Sequence, residues 1–547
     1  MRTAIFRLAC AVAALGLPAS AAAQDETAVE EAREARQRAE IVPYIEAAQI
    51  FTKELQPGDD TVTYTAVAAG VDASIAGRNS AASVSLRYER RIGYDDSSLD
   101  GDTISGVARA GLALAKGLTL EAGGLAAQTR VEGNGAASLG GFAGDDDATS
   151  QVYAAYAGPS VHTMAGAVEI EGHYRFGYTR VEAPDTVALA PGAQQVDVFD
   201  ESTTHAAFAR AGVRPNEVAP IGVGVGGGWI EQNVSNLDQR VRDRHARADV
   251  TVPLSNNVAV VGGVGYEDVE VSGRDAVRDG AGNPVIGTDG RFVTDKSAPR
   301  QIAYQTDGLI WDAGVLWRPS RRTSLEAYVG KRYGSTTYHG AFTYAPDSRT
   351  SLAVMVYDNV TSFGGVLVNQ VAALPTQFDA FRNPISGQLG GCVASLEGGG
   401  CFAGALGTVN SAVFRSRGVA ASASVDLGRT QLGVGAGYDR RTYIAAAGTA
   451  IGALDGLVDD HAWYALYAST QLDARSVLSA DANVSWFQSE LDPGGDVLGY
   501  SAALSYRRNL IRGLSGTAAV GLDGISRENL ADFMSASALL GLRYSFN

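Results

Sequence analysis

The stretch AVEIEGHYRFGYTR, residues 167–180, decides the fold. Its even positions are Val168, Ile170, Gly172, Tyr174, Phe176 and Tyr178, and its odd positions are Glu169, Glu171, His173, Arg175, Gly177 and Thr179. Strict alternation is the signature of a strand, but an ordinary half-buried strand sustains it for only about 5–6 residues. Here one side carries aromatics and the other ionisable groups, over twice that length. The pattern fits a strand with hydrocarbon on one side and polar lumen on the other.

The same dyad recurs. Ala82, Val84, Leu86 and Tyr88 alternate with Ser83, Ser85, Arg87, Glu89 and Arg91, while Ala246, Ala248 and Val250 alternate with His245, Arg247 and Asp249. Trp311, Ala313, Val315 and Trp317 oppose Asp312 and Gly314, and Leu478 to Trp486 oppose Ser479, Asp481, Asn483 and Ser485. The candidate pore-lining side chains are therefore Arg87, Glu89, Arg91, Glu169, Glu171, His173, Arg175, Arg247, Asp249, Asp312 and Asp481. By the same logic Leu86→Arg should fail in lipid while Ser85→Arg should be tolerated.

Connections alternate too. Short joints fall at 77–79, 115–117, 163–166, 215–219, 255–257, 319–322, 346–349, 428–430, 473–476 and 507–513. Longer or acidic segments lie between most of them, notably 274–304 and 358–410, with short exceptions near Pro57, Ser235 and Gly334. Short periplasmic turns alternating with longer external loops belong to an all-β, single transmembrane antiparallel up-and-down barrel. Counting gives about 22 strands, in a range of 20–24; the first, PYIEAAQIFTKEL, alternates poorly.

Composition agrees. The 547 residues are 46% hydrophobic and 19% charged with 66 glycines, too glycine-rich for a helical membrane protein. The longest later apolar run, Ile444–Val458, has 15 residues with Asp455 inside it, and reads as a loop. Arg2 and Arg7 precede an apolar run and Ala21-Ala22-Ala23, so residues 1–23 read as a signal peptide and 24–40 as a charged lead before a barrel over 41–547. Loss of the leader takes the formal net charge from −16 to −18. Such acidity excludes a nucleic-acid partner. Cys392 and Cys401 then remain, an even pair in an exported chain and a candidate disulfide.

Enzyme signatures are missing. Gly222-Val223-Gly224-Val225-Gly226-Gly227 lacks the helix that a dinucleotide fingerprint needs. It reads as wall, with Val223, Val225 and Trp229 towards lipid. The histidines show no metal spacing, and no cofactor is expected, although Asp95-Asp96, Asp145-Asp146-Asp147 and Asp459-Asp460, placed on external loops, carry oxygen ligands of the type that hold Ca²⁺.

The C-terminal run Leu539-Leu540-Gly541-Leu542-Arg543-Tyr544-Ser545-Phe546 resembles the terminal signal of Gram-negative outer-membrane barrels. Gly541, Tyr544 and Phe546 match it, whereas Leu539 stands at a usually polar position and Asn547 trails the usual terminal aromatic. With the strand pattern the resemblance covers nearly the whole mature chain. It implies the outer membrane, a surround of lipid and lipopolysaccharide, and recognition of the last strand by the barrel-assembly machinery. More narrowly the chain resembles porin-like barrels that sometimes bear the misplaced label of a protein-translocase subunit.

Charged walls are costly when dry, so the expectation is a water-filled channel for small hydrophilic solutes. The alternatives are a polysaccharide exporter and a structural or receptor barrel with a plugged lumen. The 358–410 segment, with apolar Phe363, Val366, Leu367, Val368, Val371, Leu374 and Phe378, is expected to fold into the mouth and pack on Gly433, Gly435 and Gly437, or else to form an external cap.

Overall fold

The computed structural model describes residues 38–94, 100–132, 135–138, 149–182, 196, 201–395, 400–490, 495–528 and 531–546. Twenty-two long strands form one antiparallel ring. They are β1 (Arg38–Gln56), β2 (Thr61–Ala76), β3 (Ser80–Gly93), β4 (Gly101–Ala115), β5 (Leu118–Val131), β6 (Thr149–Ala165), β7 (Val168–Glu182) and β8 (Glu201–Val213). Next come β9 (Gly222–Val234), β10 (Gln239–Pro253), β11 (Val258–Gly273), β12 (Gln301–Ser320), β13 (Thr323–Arg332), β14 (Ser335–Asp347) and β15 (Thr350–Thr361). The ring continues through β16 (Val413–Asp426), β17 (Thr430–Ile444), β18 (Val458–Asp473), β19 (Ser476–Ser489), β20 (Val497–Ile511), β21 (Leu514–Arg527) and β22 (Phe533–Ser545). Each pairs with its neighbours in sequence, and β1 closes on β22 from Tyr44↔Ser545 to Gln56↔Met534. Closure gives every strand a partner on both sides, which is what allows strands to cross hydrocarbon; the β12–β13 and β14–β15 ladders stop short, at Trp311↔Lys331 and Gly340↔Val356. The protein is a membrane barrel of the outer-membrane type, with both ends of the described chain at the short-turn end.

The dyad sorts side chains as the sequence indicates. Outside lies an apolar belt that includes Leu309, Trp311, Val225, Tyr464, Trp486 and Leu540, all well exposed. Ile170, Tyr174 and Phe176 belong to it, and their neighbours Glu169, Glu171, His173 and Arg175 point inward. The terminal signal is part of the same pattern: Tyr544 and Phe546 face outward with ring centroids 5.0 Å apart, while Gly541 faces in beside Ala48. The poor alternation of β1 has a physical cause. Its inward residues Ala48 and Ile50 are apolar because that stretch of inner wall is dry, packed with Tyr64, Ile385, Ala519 and Leu539.

The signal peptide and most of the charged lead lie outside the described residues; Arg38-Ala39-Glu40 open β1. Residues 445–457 form a loop with a single 3₁₀ turn at Gly452–Leu454. Two of the acidic clusters, 95–96 and 145–147, lie outside the described residues. The third is not on a loop. Asp459 and Asp460 begin β18, so one faces inward to Tyr443 and Ser489 and the other outward to Tyr438, and the wall separates the two carboxylates.

The dominant departure from an ordinary porin-like wall is the β15–β16 connection. Residues 362–395 and 400–412 lie inside the barrel. They begin with helix α1 (Phe363–Ala373), reach the short-turn end, form a small sheet from Asp379–Arg382, Leu389–Ala394 and Gly400–Cys401, and return through helix α2 (Ala403–Leu406). The largest apolar cluster of the protein lies between this insert and the wall: Phe363, Leu367 and Val371 meet Val107, Val152 and Val181. Among the described residues no helix is long and apolar enough to cross a membrane; the insert is a plug, held by strands that do the crossing.

Candidate functional site

The plug explains its own helix. Ser362 caps α1 by accepting a hydrogen bond from the Gly365 amide at 3.2 Å, and Pro375 follows the C-cap Leu374, where it cannot continue a helix. Phe363, Leu367, Val371 and Leu374 recur at helical spacing and are all buried. This i, i+4 rhythm is legible in the sequence, although the segment reads there only as an apolar loop. Gly364 and Gly365 bring the helix start against the wall: a side chain on either would collide with Ser202 or Gln232. Further down, a Cβ on Gly177 of β7 would sit 2.6 Å from Val368.

From α1 the plug spreads across the lumen. Arg109 of β4 donates to the Leu374 carbonyl at 3.3 Å, and Gln377 donates to the carbonyl of Ile75 at 2.9 Å beside the β2–β3 turn. Phe381 stacks on Tyr467 of β18 with centroids 4.2 Å apart. Arg382 is held entirely by neutral oxygens, Ser105 Oγ at 2.7 Å, the Gly387 carbonyl at 2.9 Å and Ser85 Oγ and O at 3.1 Å among them. Asn383 donates to Asp481 of β19 at 3.3 Å, and the carbonyl of Ser395 accepts from Ser424 of β16 at 2.8 Å. Contacts of the plug thus run from β1 round to β10 and resume at β15.

Cys392 and Cys401 form the disulfide. Their sulfurs lie on Gly435, where a side chain would displace them, as expected for a glycine-lined wall. Gly433 and Gly437 serve differently. Each accommodates a cross-strand aromatic of β18, Tyr467 and Trp463 respectively, and these rings carry the plug.

All the sequence-selected lining residues point inward, but they do not line one open pore. Arg87, Glu89 and Arg91 are sealed beneath the plug as a buried chain in which Arg87 meets Glu46 at 2.9 Å and Glu89 at 2.8 Å. Asp481 is covered by Asn383. Glu169 sits near the short-turn rim, where Arg214 Nε donates to it at 2.8 Å. The reason is that the dyad identifies an inner face and says nothing of what occupies the space in front of it. Ser85 is the sharpest case: it is buried under Arg382, so an arginine there would meet the plug and not an open lumen.

The remaining candidates lie on β7, β10 and β12, nearer the short-turn end than the plug contacts at Gly177 and Gln239 on the first two of these strands. Asp249 accepts from Arg210 at 2.8 Å and from Arg247 at 2.9 Å, and Arg247 reaches Asp312 with two bonds of 2.6 Å, giving a charge ladder across β8, β10 and β12. Glu171 adds a longer contact to Arg210, 3.9 Å. His173 and Arg175 flank it on β7; Arg175 lies 6.0 Å from the Tyr156 ring centroid. Inward-facing His339, Ala341, Thr343 and Met355 of β14 and β15 are exposed, so water fills this chamber.

An apolar cluster stands over the chamber. The β13–β14 turn folds Tyr333 into the barrel, where it packs with Val241, Val269, Val360 and Val413. Tyr333 donates its hydroxyl to Asp243 at 3.0 Å and its amide to Glu267 at 2.6 Å. Arg332 binds Asp243 at 2.7 Å, and Arg415 pairs with Asp358 through two bonds of 2.7 Å while its guanidinium lies 5.3 Å from the Tyr333 ring centroid. Arg210, Asp243, Arg332, Tyr333, Arg382 and Arg415 were not singled out from the sequence. A paired charge looks like any other lumen charge until the register shows what stands beside it. Among the described residues no group of three or more His, Cys, Asp or Glu side chains is placed to hold a metal ion.

No family model matches the chain, and no curated protein does either. Solved structures similar to it include the FrpB iron transporter from Neisseria meningitidis, 10% identical over 92% of this chain and 81% of that one, with a TM-score of 0.41. The closed form of the ferric-catecholate import receptor Fiu from E. coli K12 is 10% identical over 92% and 81%, with a TM-score of 0.43. The copper transporter OprC is 11% identical over 93% and 81%, with a TM-score of 0.37. Likeness at that level extends no further than a large barrel.

Proposed function

We propose that this protein is a plugged transport barrel of the outer membrane, closed at rest, which passes a small hydrophilic solute only when its own β15–β16 insert or the Tyr333 roof rearranges. The single observation that carries this reading is the course of residues 362–395 and 400–412 through the lumen, with the wall buried against them. It replaces the freely open diffusion channel expected from charged walls. Many of those charges are matched in pairs or covered, which favours a closed state over a continuous aqueous path. The plugged receptor-like alternative fits this arrangement, and so does a gated exporter; both require the plug to yield.

The test uses the geometry of the hairpin. Thr361 pairs directly with Phe414, so replacing residues 363–411 by a short turn closes β15 onto β16 and leaves the ladder intact. In planar bilayers the full chain is expected to be mostly silent and the deletion variant to conduct steadily. A full chain with steady conductance equal to that of the variant would overturn the reading.

A further inference from the structure

Below the plug tip, at the short-turn end, the barrel holds a cavity of about 460 Å³. That is within the range of small-molecule sites, about 300–1,000 Å³. Its walls come from β1–β3 and β18–β22, and its ceiling is plug residues 378–384 and 387. Most of the charge in it is compensated. Arg87 is paired with Glu46 and Glu89. Arg543 binds Asp72 at 2.7 Å and lies over the Tyr44 ring, 3.5 Å from its centroid. Arg382 is surrounded by the oxygens of Ser85, Ser105 and Gly387.

Two unlike charges are left over on opposite partners. Arg507, on the inner face of β20, makes no hydrogen bond or ion pair among the described residues; of the charges that face it, Arg543 and Asp72 bind each other and Glu46 binds Arg87. Asp379, on the plug, has no cation beside it among the described residues; Asp72 and Glu40 are the charges that face it. A purely anionic ligand on Arg507 leaves Asp379 unmatched. A purely cationic one on Asp379 leaves Arg507 unmatched. Only a ligand with separated opposite charges is matched at both ends, which is specificity by electrostatic complementarity.

We propose that this cavity binds a small zwitterion of amino-acid or dipeptide size, its carboxylate on Arg507 and its ammonium on Asp379. Because Arg507 belongs to the wall and Asp379 to the plug, the bound molecule ties the plug tip to the barrel. The inference rests on where the plug lies, not on the transport reading.

Isothermal titration of the full chain in detergent tests it with three probes: glycylglycine, N-acetylglycine, which keeps only the carboxylate, and glycinamide, which keeps only the amine. Glycylglycine is expected to bind saturably, and each single-charge probe at least tenfold more weakly. Arg507→Gln and Asp379→Asn are each expected to weaken glycylglycine at least tenfold, with the heat-modifiable gel shift confirming that both variants assemble. Absence of saturable glycylglycine binding, equal binding of all three probes, or binding unmoved by both variants would overturn the proposal. Calorimetry does not depend on conductance, so a full chain that turned out to be an open channel would remove the transport reading and leave this result to stand or fall alone.

Discussion

Truncating Leu367 to alanine should open the barrel without dismantling it. Leu367 is fully buried on α1, in the cluster that joins the plug to β4–β7, and it takes no part in the strand ladder. Leu→Ala in a packed interior costs about 2–5 kcal/mol, the lost transfer energy plus that of the cavity left behind. At about 1.4 kcal/mol per tenfold, the ratio of docked to undocked plug should fall by roughly 30- to 4,000-fold. Leu367→Met keeps the volume and should cost less than about 1.5 kcal/mol, little more than tenfold. The assay is single-channel recording in planar bilayers, with open probability as the readout and the heat-modifiable gel shift as the control for assembly. An assembled Leu367→Ala barrel with the open probability of the parent would show that docking of α1 does not hold the barrel shut.

Leu86→Arg and Ser85→Arg should act differently. The first places a charge in lipid at about 2–4 kcal/mol and should abolish the folded gel band, whereas the second should assemble but conduct, because its side chain collides with Arg382 of the plug. A silent, assembled Ser85→Arg barrel would refute the plug contact. Asp358→Ala strands Arg415; breaking a buried pair costs about 3–5 kcal/mol, and the temperature at which the gel band converts should drop, an unchanged temperature ruling out a structural roof. In the 274–300 loop, hydrogen bonds hold Asp279 below the usual carboxylate range, the Asn283 amide foremost. A carboxyl held low in the folded state stabilises its turn above the ordinary value and loses that effect as pH falls through the lowered one. Exchange protection of the Asn283 amide should therefore persist as pH falls to the ordinary carboxylate value of about 3.9 and be lost only below it; loss already at pH 5 would refute it.

Much of the barrel is readable residue by residue. Alternation along Val168–Glu182 specifies an in-side and an out-side because neighbouring side chains of a strand point oppositely, and the spacing of short turns gives the strand number. The wall glycines Gly224, Gly226 and Gly435 are likewise identifiable as inward, since Val223, Val225 and Val434 between them are exposed. The i, i+4 series from Phe363 to Leu374 was also there to be read as a helix. What composition does not encode is the direction in which a long connection turns at the mouth.

A closed antiparallel barrel, the facing of its side chains, the disulfide partners and the location of the long insert are all legible along the chain. All of these follow from local periodicity or from residue type. Folding alone brings Arg382 to Ser85, nearly three hundred residues away, and Arg332 to Asp243 across two intervening strands. The period of two assigns each side chain to a face, but its height on the wall comes from strand register, and its partner from whatever fills the lumen at that height. A charge free in water and a charge paired under a plug have the same signature along the chain, and the difference between an open channel and a closed one lies in that pairing.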